Sequence, residues 1–396
     1  MRSSPATVPR SMKVPIPVVC LGGILLAGCA TLPTAGPTVS QVFDQAVTDG
    51  QRHFDLVDVD NHVVATLLAQ PTESFRTRFH KYGKPPGPTI GIGDTVSVSI
   101  WEAAGGGLFS APATTGAGGG SRTEIPDQVV TPDGAISVPF AGRIAVAGRT
   151  PLQVQDEIQQ RLADKAIEPQ AIVTVTKSIT NTATVSGEVV SGARVPLSIG
   201  GDHLLDVIAA AGGAKAPVYD TFVRLSRGGV TVTIPMAKLV SNPGENIYAW
   251  PGDVLTLVQV PQTFAVFGAT TQNTEVPFGA EKLTLAQALA KAGGLQDLRA
   301  DPRGIFLFRF EPASVVGALN APALGTGPDG TSPVVYRLNL REANNYFYAE
   351  RFPMEDKDVI YVANAPLTEL QKFFTLVNTV TGPVISGVVV SRSVNP

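Results

Sequence analysis

Any chemistry in this chain must come from a sparse set of residues. Its four histidines, His53, His62, His80 and His203, are scattered and lack the spacing of a metal site. Three aspartates stand in short turns ahead of apolar runs: Asp94, Asp253 and Asp358. Each reads as a side-chain turn leading into a strand. Each also stands alone, without the second carboxylate that acid–base work on a glycan requires. Asp202-His203 reads as a helix cap beside a solvated histidine. Gly91-x-Gly93 suggests a dinucleotide loop, but the third glycine position is Val96 and the run continues as a strand. There is no Gly-x-Ser-x-Gly elbow, phosphate-binding loop or zinc pattern. The residues therefore offer no catalytic group, no metal site and no cofactor site. Trp101 and Trp250 could stack on sugar rings; a core or subunit-contact role is the competing reading for each.

The elements around these residues are organised by a repeat. Val185-Ser186-Gly187 recurs as Val266-Phe267-Gly268, and Ala211-Gly212-Gly213 as Ala292-Gly293-Gly294, both shifted by 81 positions. Val223 to Arg227 answers to Ile305 to Arg309 with a shift of 82, and Gly252 to Leu257 answers to Lys357 to Val362 with a shift of 105. The last jump puts about 23 extra residues after Phe310. A spacing kept through four landmarks marks a duplicated supersecondary unit. Each copy reads as a strand, a short helix ended by Gly-Gly, then further strands. In the first copy Asp202 is expected to cap a helix with Leu204, Leu205, Ile208 and Ala209 inward. In the second, Thr284 and Gln287 have capping-box spacing, with Leu285, Ala288, Leu289 and Ala292 inward.

The rest of the chain is read around that repeat. It has 396 residues, a formal net charge of −3, 16% charged residues, 40 glycines and 32 prolines. Near-neutral charge gives no bulk attraction to nucleic acid. The glycine and proline content fits a β-rich protein with many turns. Residues 31–40 read as a tether, with strands expected near 54–59 and a weak helix near 63–70. After Lys84-Pro85-Pro86-Gly87-Pro88, a module at 88–178 reads β-β-α-β. Val96, Val98 and Ile100 alternate in its first strand, and a hairpin is expected around Asp133-Gly134. Thr150-Pro151 starts a helix with Val154, Ile158 and Leu162 as its stripe. Residues 105–120 read as a glycine-rich loop.

The N-terminus carries Arg2, Arg10 and Lys13, an apolar stretch at 18–27, and then Leu26-Ala27-Gly28-Cys29. That tetrad resembles the lipobox of bacterial lipoproteins, which implies cleavage before Cys29 and lipid on it. Ala30, in place of an Asp, favours the outer membrane within that family. The 90–101 run, Thr131-Pro132-Asp133-Gly134, Gly148-Arg149-Thr150-Pro151 and Pro169-Gln170-Ala171-Ile172-Val173 resemble the polysaccharide biosynthesis/export domain. The two repeats resemble the soluble-ligand-binding β-grasp modules attached to it. Their order is similar to that of the Wza-type outer-membrane polysaccharide export lipoproteins. Tyr361-Val362-Ala363-Asn364-Ala365-Pro366-Leu367 points to the CtrA/BexD-like capsule exporters among them.

The resemblance implies an α+β chain of small β-rich modules followed by a C-terminal amphipathic helix. Its parts are a leader at 1–28, a tether and mixed segment at 29–87, an export domain at 88–180, β-grasp repeats at 181–262 and 263–364, and a membrane-crossing segment at 365–396. In 367–391, Leu370, Phe373, Phe374, Val377, Val380, Val384 and Val388 recur at helical spacing. Lys372, Thr375, Asn378, Thr379 and Ser386 fall largely on the other side. Read from the residues, this is either a surface-docked helix or one member of a ring, with apolar sides to lipid and polar sides to a lumen. Gly382-Pro383 should interrupt it. The resemblance implies the ring: a homo-oligomeric conduit for capsular or extracellular polysaccharide. Its implied partner is an inner-membrane polysaccharide co-polymerase, tyrosine-kinase-like or ABC-linked. The alternative is a non-porin lipoprotein that binds glycan or peptidoglycan at the outer membrane.

Overall fold

The computed structural model describes residues 36–48, 51–102, 108, 121–321, 327 and 330–365. Cys29, the loop at 105–120 apart from Leu108, and every candidate residue of 367–391 lie outside them. The chain is α+β and divides into two compact units. One takes in the chain up to Gln70 and most of the chain from Thr263 onward; the other runs from Pro71 to Gln262.

The N-terminal stretch is more structured than its composition suggests. Helix α1 (Val39–Ala46) starts from a full capping box between Thr38 and Gln41, so a tether can extend no further than Pro37. Strand β1 (Asp55–Asp58) and helix α2 (Asn61–Leu68, capped by Asp60) stand where the strand and weak helix are expected. Helix α3 (Phe75–Arg78) buries Phe75 against the first repeat.

The export-like module pairs β2 (Thr95–Glu102) with β3 (Ser121–Val129) and, at the end of the module, β6 (Gln170–Lys177). β4 (Ala135–Val138) and β5 (Gly142–Ala145) form a separate two-stranded sheet. The hairpin expected around Asp133-Gly134 is therefore displaced: the paired hairpin is β4–β5, turning through 139–141. The reason is the span between β3 and β4. The Gln128 side chain, rather than its backbone, meets both the N–H and C=O of Ser137. Helix α4 (Pro151–Leu162) has Pro at its start, a Thr150–Gln153 capping box, and Val154, Ile158 and Leu162 fully buried.

The first repeat is a five-stranded sheet. Its strands are β7 (Thr182–Gly187), β8 (Ala193–Pro196), β9 (Thr221–Arg227), β10 (Val230–Pro235) and β11 (Val254–Gln259), in the order β8-β7-β11-β9-β10. Helix α5 (Leu204–Ala210) buries Leu204, Val207 and Ile208. Its inward face thus adds Val207 to the expected residues, Leu205 packs half-buried against the core, and Ala209 is exposed. Asp202 does not cap it. Ser198 donates to its carboxylate through backbone N–H (2.7 Å) and hydroxyl (2.8 Å), leaving His203 at the cap, its N–H bonded to Asp206. Helix α6 (Met236–Ser241) follows β10.

The second repeat copies this plan with β12 (Thr263–Gly268), β13 (Thr274–Pro277), helix α7 (Leu285–Lys291), β14 (Ala300–Pro312), helix α8 (Ala313–Ala318), β15 (Thr331–Leu338), helix α9 (Asn344–Arg351) and β16 (Val359–Asn364). The register confirms the duplication. Thr184 pairs with Val254 in parallel, and Ala265 with Val359, which are the same positions after shifts of 81 and 105. The Thr284–Gln287 box and the buried Leu285, Ala288, Leu289 and Ala292 are present. Both Gly-Gly pairs adopt positive φ, as helix ends in the left-handed conformation require. The extra residues lie between β14 and β15, where the first copy turns in Gly228-Gly229 alone. β1 adds a sixth strand, parallel to β15.

Candidate functional site

The three isolated aspartates occupy one repeated turn. Asp94 accepts the N–H of Gly91, Asp253 that of Trp250, and Asp358 that of Glu355, each three residues back and at 2.7–2.8 Å. All three carboxylates are buried. Each forms the side-chain turn expected of it, and their further partners divide them into two kinds.

Asp94 is held by polar groups of 178–180. Ile179 N–H donates at 2.7 Å, Thr180 N–H at 3.2 Å, and the Thr180 and Ser178 hydroxyls add further bonds. Burial raises its pKa, but these donors outweigh burial and hold it below the usual carboxylate value. A depressed folded pKa gives stability that is present above the unfolded pKa and is lost as pH falls through the folded one. Asp94→Asn should therefore cost about 1–3 kcal/mol at neutral pH, since an amide N–H₂ now faces donors. It should also flatten the acid limb of a urea-midpoint titration; an unchanged limb would dismiss this account.

Asp253 and Asp358 each hold an arginine from the neighbouring strand. Arg227 bonds Asp253 through Nε (2.8 Å) and Nη2 (2.6 Å) and donates Nη2 to the carbonyl of Tyr248 (2.7 Å). Arg309 bonds Asp358 through Nε (2.7 Å) and Nη2 (2.6 Å) and donates Nη2 to the carbonyl of Pro353 (2.8 Å). Tyr248 and Pro353 are equivalent positions, so the whole clamp is duplicated. The fourth corner differs. Arg227 reaches the Lys81 carbonyl and lies over the Phe79 ring, tying the 79–81 segment to the first repeat. Arg309 instead meets Glu355 at 3.2 Å and Glu311 at 3.4 Å, and Glu311 accepts the Tyr336 hydroxyl at 2.7 Å. Burial opposes the charge of Arg309, but Asp358, Glu355 and Glu311 overcome it and raise its pKa. Burial, then Glu311 and Asp358, push Glu355 up against the pull of Arg309. In both clamps the arginine and the aspartate are buried and hold each other, which is a structural role; Glu355 alone of the second clamp's carboxylates is open to solvent.

The other candidates are also engaged. Trp250 donates its indole N–H to the Gly83 carbonyl at 3.0 Å, with Lys81 Nζ 5.2 Å from its ring centre. It fastens the proline-rich 81–88 segment, which is the structural reading of that tryptophan. Trp101 is half-buried in β2. His203 stacks on Tyr248 with ring centres 4.0 Å apart, and His62 Nε2 lies 3.2 Å from the Ala318 carbonyl. Among the described residues no cluster of His, Cys, Asp or Glu could hold a metal ion, and no helix is long and apolar enough to cross a membrane.

A strand-and-helix module followed by two copies of one clamped β-grasp unit defines a class: multi-module export-type proteins. The comparisons agree. Residues 83–176 match the polysaccharide biosynthesis/export protein family, and 182–235 and 262–362 each match the SLBB domain. The chain is 41% identical to the capsule polysaccharide export outer membrane protein CtrA of Neisseria meningitidis, over 93% of this chain and 95% of that protein. It is 35% identical to the capsule polysaccharide export protein BexD of Haemophilus influenzae, over 94% and 97% of the two chains. The Vi polysaccharide export protein VexA/TviF of Salmonella typhi is 30% identical over 72% and 76%. This chain belongs to the polysaccharide biosynthesis/export family.

Proposed function

We propose that this protein is an outer-membrane conduit through which a capsular or extracellular polysaccharide leaves the cell, acting in transport rather than catalysis. The observation that carries the reading is the similarity to capsule polysaccharide export proteins along 93% of the chain, with all three modules in one order. In this reading Cys29 is the lipidated mature N-terminus, and the folded modules form a periplasmic ring of identical chains. The ring meets an inner-membrane co-polymerase or ABC-linked partner. The 365–396 segments cross the outer membrane together.

The polarity of 367–391 explains why they would cross only as a ring. A continuous helix over 26 residues, from Pro366 to Ser391, would reach about 39 Å at about 1.5 Å per residue, more than a hydrocarbon core of about 30 Å. A lone copy would leave Thr375, Asn378, Thr379 and Ser386 facing lipid, and each unpaired polar group costs about 2–7 kcal/mol there. In a ring those residues and Lys372 face water, while Leu370, Phe373, Phe374, Val377, Val380, Val384 and Val388 face lipid. The test is polymer on the surface of intact cells. Disrupting the gene should abolish it and leave polymer inside the envelope, and Phe374→Asp should do the same with the modules still folded. Normal surface polymer in the disrupted strain would overturn the reading.

A further inference from the structure

The two repeats share a plan but not a surface. Opposite the core, the middle of the first sheet presents Ser186, Arg224, Ser226, Thr231, Thr233 and Thr256, with Phe222, Val254 and Val258 towards its ends. Ser186 bonds Thr256, and Ser226 bonds Thr231 at 2.9 Å, so the hydroxyls of that middle satisfy one another. The equivalent positions of the second sheet are Phe267, Phe306, Phe308, Val335, Arg337 and Tyr361, of which only Arg337, in place of Thr233, is charged. The fold does not require aromatic residues at these positions, because the first copy folds with polar ones there.

Part of the face is already used. Helix α1 lies across it, burying Val42 with Phe306, Val335, Tyr361 and Ala363, and the Tyr361 hydroxyl bonds the Pro37 carbonyl at 2.7 Å. Phe43 of α1 holds Arg337 over its ring. The remainder is open. Phe310 is 70% exposed and Phe267 50%, and a cleft of about 350 Å³ runs between Phe54, Phe308, Phe310, Pro333 and Val359. A contiguous apolar surface of this kind marks a contact.

The same unit carries a second open aromatic pair on its other side. Helix α9 packs on α7 and α2, in the helix layer over the core. Its Tyr346 and Phe347 point away, 58% and 71% exposed. One unit thus has an apolar sheet face and an exposed aromatic pair on opposite surfaces. A front and a back that differ suit head-to-tail association, which closes into a ring when the rotation allows.

We propose that the open part of the sheet face receives helix α9 of a neighbouring copy of this chain, Tyr346 and Phe347 entering beside Phe308 and Phe310. The face already accepts one helix, α1, by the same kind of contact. Charge agrees as well. The cleft bears Glu355, Asp356 and Asp358 against Arg309 and Lys357, and Lys357 is engaged with Glu275. Arg351 stands four residues after Phe347 and so shares its side of α9, and it forms no ion pair among the described residues. In the docked arrangement Arg351 faces the carboxylates of the cleft, with Glu350 beside it on the same side of α9 turned towards Lys357. The proposal rests on the ring reading above and names the contact that would build the ring from the second repeat.

The test uses the full-length lipidated protein in outer membranes. Two differently tagged versions, Phe310→Cys and Phe347→Cys, are produced together and treated with a bismaleimide. A cross-linked pair carrying both tags is expected, with little product from either version alone, and the double variant should give a ladder. Phe310→Glu and Phe347→Glu should each weaken assembly at least about tenfold in mild detergent while leaving the unfolding transitions in place. Self-cross-linking of Phe310→Cys alone would overturn the proposal, since like faces would then meet. So would a soluble thiol reagent that labels Phe310→Cys equally in assembled and dissociated protein. Intact assembly in both glutamate variants would overturn it too, with the ring itself standing. A wild-type protein that remains monomeric would remove the ring and this contact together.

Discussion

Arg309→Ala is expected to lower the stability of the second repeat by about 3–5 kcal/mol, the range for removing one partner of a buried ion pair. The guanidinium is 4% exposed and Asp358 is 0% exposed at the side chain, so water cannot replace the lost partner. Glu311, 2% exposed, would be left with the Tyr336 hydroxyl alone among these groups. Arg309→Lys should recover only part of the loss, because an ammonium cannot make the two parallel bonds to Asp358. Glu355→Gln should change little, since that side chain is 52% exposed. The two clamps can be measured separately in one protein. Both tryptophans, Trp101 and Trp250, lie in the unit from Pro71 to Gln262. Urea unfolding followed by tryptophan fluorescence therefore reports that unit, and far-UV circular dichroism reports both. Arg309→Ala should shift the dichroism transition and spare the fluorescence one. Arg227→Ala, whose partner Asp253 is equally enclosed, should shift the fluorescence transition, and with it the part of the dichroism change that belongs to that unit. A loss below about 1 kcal/mol for Arg309→Ala would mean that the clamp is incidental.

How much of this fold can be read in the sequence depends on how local its causes are. The duplicated register, the Thr284–Gln287 capping box and the α4 stripe are legible because each is written in spacings of a few residues or in a constant offset between copies. Strand β3 is not, because only Ile125 of its described side chains is buried and no alternation marks it. The clamps are hidden for another reason. Asp253 and Asp358 can be read as turn residues, but their arginines stand 26 and 49 positions away, Arg227 at the end of β9 and Arg309 within β14. A signal is present in the repeat: Arg227 and Arg309 occupy equivalent positions, as do the two aspartates. A charged pair kept through duplication inside apolar strands points to a buried contact. Strand β1 joins β15 across 279 positions, between Asp58 and Arg337, and no local pattern announces such a pairing. The polarity of the outer sheet face requires the register first, and only then does Ser226 against Phe308 become a statement about surfaces.

Gly268→Ala, and Gly187→Ala in the first repeat, should each cost about 3 kcal/mol or more, combining left-handed backbone strain with a displaced hydrogen bond. These glycines end the first strand of each copy, at φ +95° and +88°. A Cβ on Gly268 would stand 2.1 Å from the carbonyl oxygen of Val362, and one on Gly187 would stand 2.0 Å from that of Leu257. Each carbonyl is already fixed, accepting the N–H of Ala269 or Glu188 at 2.8 Å. The chain cannot yield without opening that bond. The bond in turn closes the parallel pairing of β12 with β16, or of β7 with β11, which joins the first strand of the module to its last. Gly294→Ala separates the two causes within the same unit. It has a similar φ of +74°, yet nothing lies within 4 Å of its added Cβ. Its cost should be only the about 1–2 kcal/mol of left-handed backbone. Dichroism-detected urea midpoints of the two variants decide the matter. A clear gap, with Gly268→Ala the lower, assigns the difference to the Val362 carbonyl. Equal midpoints would mean that backbone conformation alone requires glycine at both places, and that the strand end gives way to a methyl group without loss.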